Sequence, residues 1–267
     1  MSDTLYTLHR GTKPLLVSVP HAGTRIADEV KPQLVERAWA VEDTDWFLDQ
    51  VYGFATGLGA SLIVPVHSRY VVDLNRPSEN TPMYPGVNNT ELVPTRFFTG
   101  EPLYREGCAP DAAEVARRVA TYWRPYHDAL AAELARLRSE HGHAVLWDGH
   151  SIKSELPWLF SGRLPELNVG TAGGASCSPS LRAAIGEALA AQPSFSHVID
   201  GRFKGGHITR HYGRPAQHIH AIQLEMCWST YMAEEPPYRL DEARVAKLEP
   251  VLRSLLGAVL GWSAAHA

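Results

Sequence analysis

The sequence predicts a single α/β domain with a mostly parallel sheet, and three observations carry that prediction. Short apolar segments suited to strands alternate along the chain with longer segments of helical period. With 267 residues, 45% hydrophobic and 20% charged, the chain can bury one sizeable core and need not split, so residues 1–267 are expected to form one domain. Three strand-like segments, VSVPHAG, LWDGHS and QLEMCW, run into loops and carry His21, His150 and Glu225. Open α/β sheets place their chemistry at such strand ends.

The elements follow in order. Residues 15–19 are an apolar run closed by Pro20, and residues 43–57 have helical periodicity through Trp46, Val51 and Phe54, stopping at a glycine. Residues 60–66 and 70–74 read as two short strands separated by His67, Ser68 and Arg69. Residues 76–110, rich in Pro, Asn and Thr, are too long for a connector and predict a functional excursion over the sheet. Asp111, with Glu114 three residues on, starts a long helix to about residue 140, kinked at Pro125. Residues 144–147 return as a strand.

The second half repeats this rhythm. Residues 151–178 read as irregular and glycine-rich, 179–191 as a helix, 197–200 as a short strand and 201–215 as a glycine-rich cationic loop. Residues 219–226 form a buried strand. The last helix, 241–262, carries apolar positions at Val245, Leu248, Leu252, Leu255 and Leu256.

Charge and cysteine content exclude several classes. A formal net charge of −4 leaves no electrostatic footprint for nucleic acid or an anionic membrane, so a small molecule is the expected partner of a monomer or small homo-oligomer. The start MSDTLYTLHRGTKPLL lacks the pattern of a signal peptide, and no apolar run reaches the roughly 18 residues of a membrane span. A cytoplasmic location is expected. Cys108, Cys177 and Cys227 form no CxxC pair and read as reduced thiols.

A catalytic zinc takes three protein ligands and leaves a fourth position for water. His21 and His150, each at a strand end, can converge at one sheet edge, with Asp45 as third ligand and Asp49, four residues on, as its alternate. Against this, Asp43 serves as well for a helix N-cap and Asp45 for a first-turn acid. Glu225 closes so apolar a segment that its carboxylate needs a cation or donors, which makes it either a general base or a buried partner of an arginine. Arg69 and the Asn75-Arg76 pair offer guanidinium forks to carboxylates or oxyanions, or pair with Asp73 or Glu79. Arg202, Lys204, His207, Arg210, His211 and Arg214 crowd a glycine-rich loop that suits an anionic small molecule, or is a solvated basic surface. Cys227 lacks an identifiable partner for a cysteine amidase.

The segments VSVPHAG, DTDWFLDQVYG, RYVVDLNRP, DGHSIKSELPWLFSGRLPELNVGT, GRFKGGHITRHYG and HAIQLEMCWSTYM resemble, in order from about residue 14 to 232, those of the N-formylglutamate amidohydrolases of bacterial histidine degradation. That family is similar in plan to the zinc carboxypeptidases and aspartoacylases, which implies a three-layer α/β/α fold with a mixed, mostly parallel central sheet. The matching positions are His21, Asp45, Arg69, Asn75 with Arg76, His150 with Ser151, and Glu225. One departure is the missing acid of an HxxE motif, replaced here by His21-Ala22-Gly23-Thr24, so the acidic ligand must come from elsewhere in the chain.

The resemblance implies hydrolysis of N-formyl-L-glutamate to L-glutamate and formate. It assigns one Zn²⁺, or another divalent ion, to His21, Asp45 and His150, with Glu225 as general base and Arg69 at the oxyanion. Of the two substrate carboxylates, one is expected at Asn75 and Arg76. The other is expected at Lys204, His207, Arg210 and His211, or at Arg163. Two alternatives stay open: a metal-dependent acylase or carboxypeptidase-like hydrolase of another N-acyl amino acid, and a non-catalytic binding protein for an acidic amino-acid derivative.

Overall fold

Central strands that are apolar on both faces require cover on both sides, and the chain supplies it. The structure is a computed structural model that describes residues 4–81 and 90–265. Its sheet contains β1 (Tyr6–His9), β2 (Leu15–Ser18), β3 (Ser61–Pro65), β4 (Ala144–Ile152), β5 (Leu167–Gly170), β6 (His197–Ile199) and β7 (Ile219–Cys227). Their spatial order is β1-β3-β2-β4-β7-β5-β6. The β1–β3 and β5–β7 pairs are antiparallel and the other neighbours parallel.

Side-chain alternation divides these strands between two cores. On one face Leu15, Val17, Val145, Trp147, Ile222 and Leu224 pack with α4 (Pro179–Ala190) and α6 (Glu242–Ala264). On the other, Leu16, Leu146 and Ala221 pack with α3 (Arg124–His141). Each fully buried Leu or Val contributes about 1.5–3 kcal/mol by leaving water. The layers are therefore α/β/α.

Several expectations are corrected by long-range contacts. Of residues 43–57 only Leu48–Val51, α1, is α-helical, followed by a 3-10 turn over Gly53–Leu58, and Phe47 takes φ 60°. The segment is held from outside: the Asp43 carboxylate accepts from Tyr70 Oη at 2.8 Å and the Phe98 N–H at 3.0 Å, while the Asp45 N–H donates to the His21 carbonyl. Residues 70–74 are a turn, not a strand. Val71 donates to the Ser68 carbonyl and Asp73 to that of Leu92, while the apolar side chains enter the α3-side core.

The predicted helix 111–140 is two helices, α2 (Ala112–Arg118) and α3, joined by a π turn at Val119–Trp123. The π turn runs directly into Pro125, which has no N–H to offer the preceding turn, so the irregularity falls where the proline is expected to bend the helix. β4 continues past residue 147 to Ile152. Within the supposedly irregular 151–178 lies β5, and within the cationic loop lies α5 (His207–Tyr212). β1 has no counterpart among the predicted elements. Of the 76–110 excursion, residues 82–89 lie outside the described residues.

Candidate metal centre and active site

The parallel strands bring their carboxyl ends to one place. His21 follows β2, while His150 and Glu225 lie inside β4 and β7, near their ends, as direct Cα partners in the parallel register. Gly23 lets the loop after β2 lie flat on the one after β3, since a Cβ there would stand 2.2 Å from the His67 carbonyl oxygen. That approach sets His21 against the 69–75 turn.

One ligand atom each from His21, Asp45 and His150 lies within 4.8 Å of the others, and all three residues are buried. Such a group can hold a metal ion. The exposed Asp49 lies outside it, which removes that alternate. Two further features fit an ion there. Each imidazole turns Nδ1 toward Asp45, at 3.7 Å for His21 and 3.1 Å for His150, and Nε2 toward a second carboxylate, Asp73 at 2.7 Å and Asp148 at 3.2 Å. Carboxylates behind ligating histidines fix the ring and raise its basicity. Apart from its ion pair with His150, the buried Asp148 Oδ1 has no hydrogen-bond partner among the described residues.

The electrostatics follow from this packing. Burial pushes Asp45 up, but its bonds to His150 and His21 outweigh that and hold it below the carboxylate range. Asp73 stays well below its usual value despite burial, because His21, Arg69 and Arg76 surround it. Burial lowers His150, yet Asp148 and Asp45 raise it well above the ordinary imidazole value. Glu225 is the exception: burial pushes it up to about 8, only partly opposed by His150 and Arg69. A carboxyl so placed takes and returns protons near neutrality.

Arg69 is buried beside this group. Its Nη2 donates to Asp73 at 2.6 Å, Nη1 lies 3.3 Å from His21 Nδ1, and its guanidinium stacks 4.5 Å over Phe98. Asn75 accepts the Ile208 N–H at Oδ1, which turns its amide nitrogen to His150 Nε2 at 3.0 Å. Arg76 is braced by the Thr90 carbonyl, the Thr90 hydroxyl and the Asn75 carbonyl.

A cavity of about 100 Å³ opens over these residues, walled further by Phe98, Leu159, Phe160, Phe203 and Gln223. Of the residues that the sequence points to, it gathers His21, Asp45, Arg69, Asn75, Arg76, His150, Ser151, Arg202 and Glu225. It does not gather the others. Arg163 is exposed and pairs with Glu155 at 3.4 Å, Lys204 and His211 are exposed, and Arg210 is exposed with its Nε on the Gly205 carbonyl. His207 packs against Trp123, and burial lowers its imidazole to about 4, so it carries no charge near neutrality. His207, Arg210 and His211 are displaced because they lie on α5, a helix that the glycine-rich pattern concealed.

The pairing of Arg69 with Asp73 that the sequence offered is present at 2.6 Å, whereas the contact of Asp73 to His21 and the parts played by Asp148 and Gln223 were missed. Period two along β4 was the available signal, because it puts Asp148 on the face of His150. Cys227 is no nucleophile: burial pushes its thiol up to about 12, and Sγ sits on the Pro165 carbonyl. The 170–178 loop is a connector in which Thr171 and Gly173 bind Asp200.

Comparison with known proteins adds independent findings. Residues 13–232 match the family model described as N-formylglutamate amidohydrolase. An N-formylglutamate deformylase of Pseudomonas aeruginosa is 52% identical over 262 residues, 97% of each chain. One of Pseudomonas putida is 50% identical over 262 residues, 98% of each chain. The crystal structure of an N-formylglutamate amidohydrolase from Ralstonia eutropha superposes with a TM-score of 0.83 at 22% identity, covering 98% of this chain and 99% of the other, which shows a shared fold.

Proposed function

The chain belongs to the N-formylglutamate amidohydrolase family, and on that premise we propose that it hydrolyses N-formyl-L-glutamate to L-glutamate and formate. The buried His21, Asp45 and His150 beside Glu225 are the observation that carries the chemistry. A Zn²⁺ ion suits that donor set, and when bound it supplies Lewis acidity that polarises the formyl oxygen and acidifies water. Glu225 accepts a proton from the attacking water and returns it to the departing amine. Arg69 donates to the formyl oxygen as negative charge develops there, and its contacts to Asp73 and Phe98 hold it in advance. Asp148 keeps His150 in orientation by accepting from its Nε2–H, and Arg76 receives one substrate carboxylate.

The product pair suits the last step of a histidine-degrading route in the cytoplasm. Formate release from N-formyl-L-glutamate, compared with acetate release from N-acetyl-L-glutamate, tests the reading. Faster formate release supports it. A preference for the acetyl substrate would instead establish a broader acylase.

A further inference from the structure

N-formylglutamate carries two carboxylates, and the cavity has three guanidiniums among the described residues: Arg69, Arg76 and Arg202. Arg69 is committed to Asp73 and faces His21. Arg76 belongs to the inner end, 4.0 Å from Asp73 and next in sequence to Asn75, whose amide touches His150. Arg202 differs from both. It is exposed, and no carboxylate pairs with it among the described residues.

Arg202 stands on the 200–206 loop, between β6 and α5, and both ends of that loop are anchored. Asp200, at φ 55°, accepts from the Thr171 N–H at 2.7 Å, the Thr171 hydroxyl at 2.6 Å and Arg182 Nη2 at 3.1 Å. The Gly206 N–H donates to Gln223 Oε1 at 2.7 Å, and a Cβ on Gly206 would stand 2.3 Å from Asn75 Nδ2. Between these anchors the Arg202 guanidinium lies 5.4 Å from the Phe160 ring centre and donates to the Leu159 carbonyl. Phe203 meets the same ring edge to face. The guanidinium is thus seated on an aromatic wall of the cavity while keeping free N–H groups.

Substrate chemistry orders the two outer cations. The α-carboxylate is attached to the carbon that bears the reacting amide, so it stays near the inner end. The γ-carboxylate lies two methylenes further out. We infer that Arg202 receives the γ-carboxylate and sets the preference for an acidic side chain, while Arg76 receives the α-carboxylate. A planar fork pairs with a carboxylate through two N–H bonds, and an uncharged amide in its place loses the charge pairing. The assignment rests on the N-formylglutamate reading. It replaces Lys204, His207, Arg210, His211 and Arg163 with a residue that does line the cavity.

Steady-state kinetics of the metal-loaded enzyme on N-formyl-L-glutamate and its neutral isostere N-formyl-L-glutamine test it. Arg202→Gln is expected to raise KM for the glutamate substrate about tenfold or more while kcat moves less than about threefold, with the preference for glutamate over glutamine falling in proportion. Arg202→Lys, which keeps the charge but not the fork, should recover part of that preference. An unmoved preference in Arg202→Gln, or an equal loss on both substrates, overturns the assignment. A wild-type enzyme that releases no formate from N-formyl-L-glutamate overturns the underlying function as well, a result distinct from an active wild type with an indifferent variant.

Discussion

His21 and His150 each turn one ring nitrogen to Asp45 and the other to a second acid, so the outer carboxylates control how the inner nitrogens are presented. Asp148→Asn is therefore expected to weaken metal binding about 10- to 100-fold, read by competition with a chelator. Unchanged affinity would return Asp148 to a packing role. Glu225→Gln should keep the metal and lower kcat by about 100-fold or more, since it leaves the charge and donor set of the three ligands intact while removing the base. Near-normal turnover would remove Glu225 from catalysis. The pH dependence has a definite sign. Glu225 must be ionised to accept a proton, so activity is lost as pH falls through its pKa, which burial raises and Arg69 lowers. Arg69→Met removes the lowering charge, and the acid limb of its kcat/KM profile should lie at higher pH than in the wild type. The histidines, Arg69 and Glu225 could be named from sequence because each stands beside a predicted strand, whereas Asp45 was one of two candidate acids in the segment after the first strand. The contacts of Asp73 to His21 and of Asp148 to His150 could not be placed, because an acid's second partner depends on which distant turn folds against it.

At the scale of elements, the site depends on two close approaches that only glycine permits. Gly206→Ala would press a methyl group into the Asn75 amide, which lies against His150 Nε2 on the wall of the cavity. We expect kcat to fall by at least about tenfold with the fold retained, as circular dichroism would verify, because a small displacement of a positioning group is costly in catalysis. A fully active variant would show that Asn75 does not need its present place. β2, β7, α4 and α6 were readable because their apolar periods agree with their burial. The 43–57 and 70–74 segments were misread for a physical reason: Asp43, Asp45 and Asp73 spend backbone and side-chain groups on distant partners, which defeats local periodicity.

Across the whole molecule, the sheet joins two apolar cores and holds the polar group where their strands end. Alternation of strands and helices was enough to give the α/β class, whereas β1 and β5 pair antiparallel through contacts that no local pattern announces. No helix among the described residues is long and apolar enough to cross a membrane. An ion that binds only the folded chain stabilises it by mass action, so Zn²⁺ should raise the melting temperature of the metal-free protein. His150→Ala should abolish that increment. Zn²⁺ titration of metal-free protein, with formate release from N-formyl-L-glutamate as the readout, tests the central claim most directly. Activity should rise from near zero to a break at one ion per chain, and His150→Ala should show no such rise; full turnover by stringently chelated protein would contradict the account.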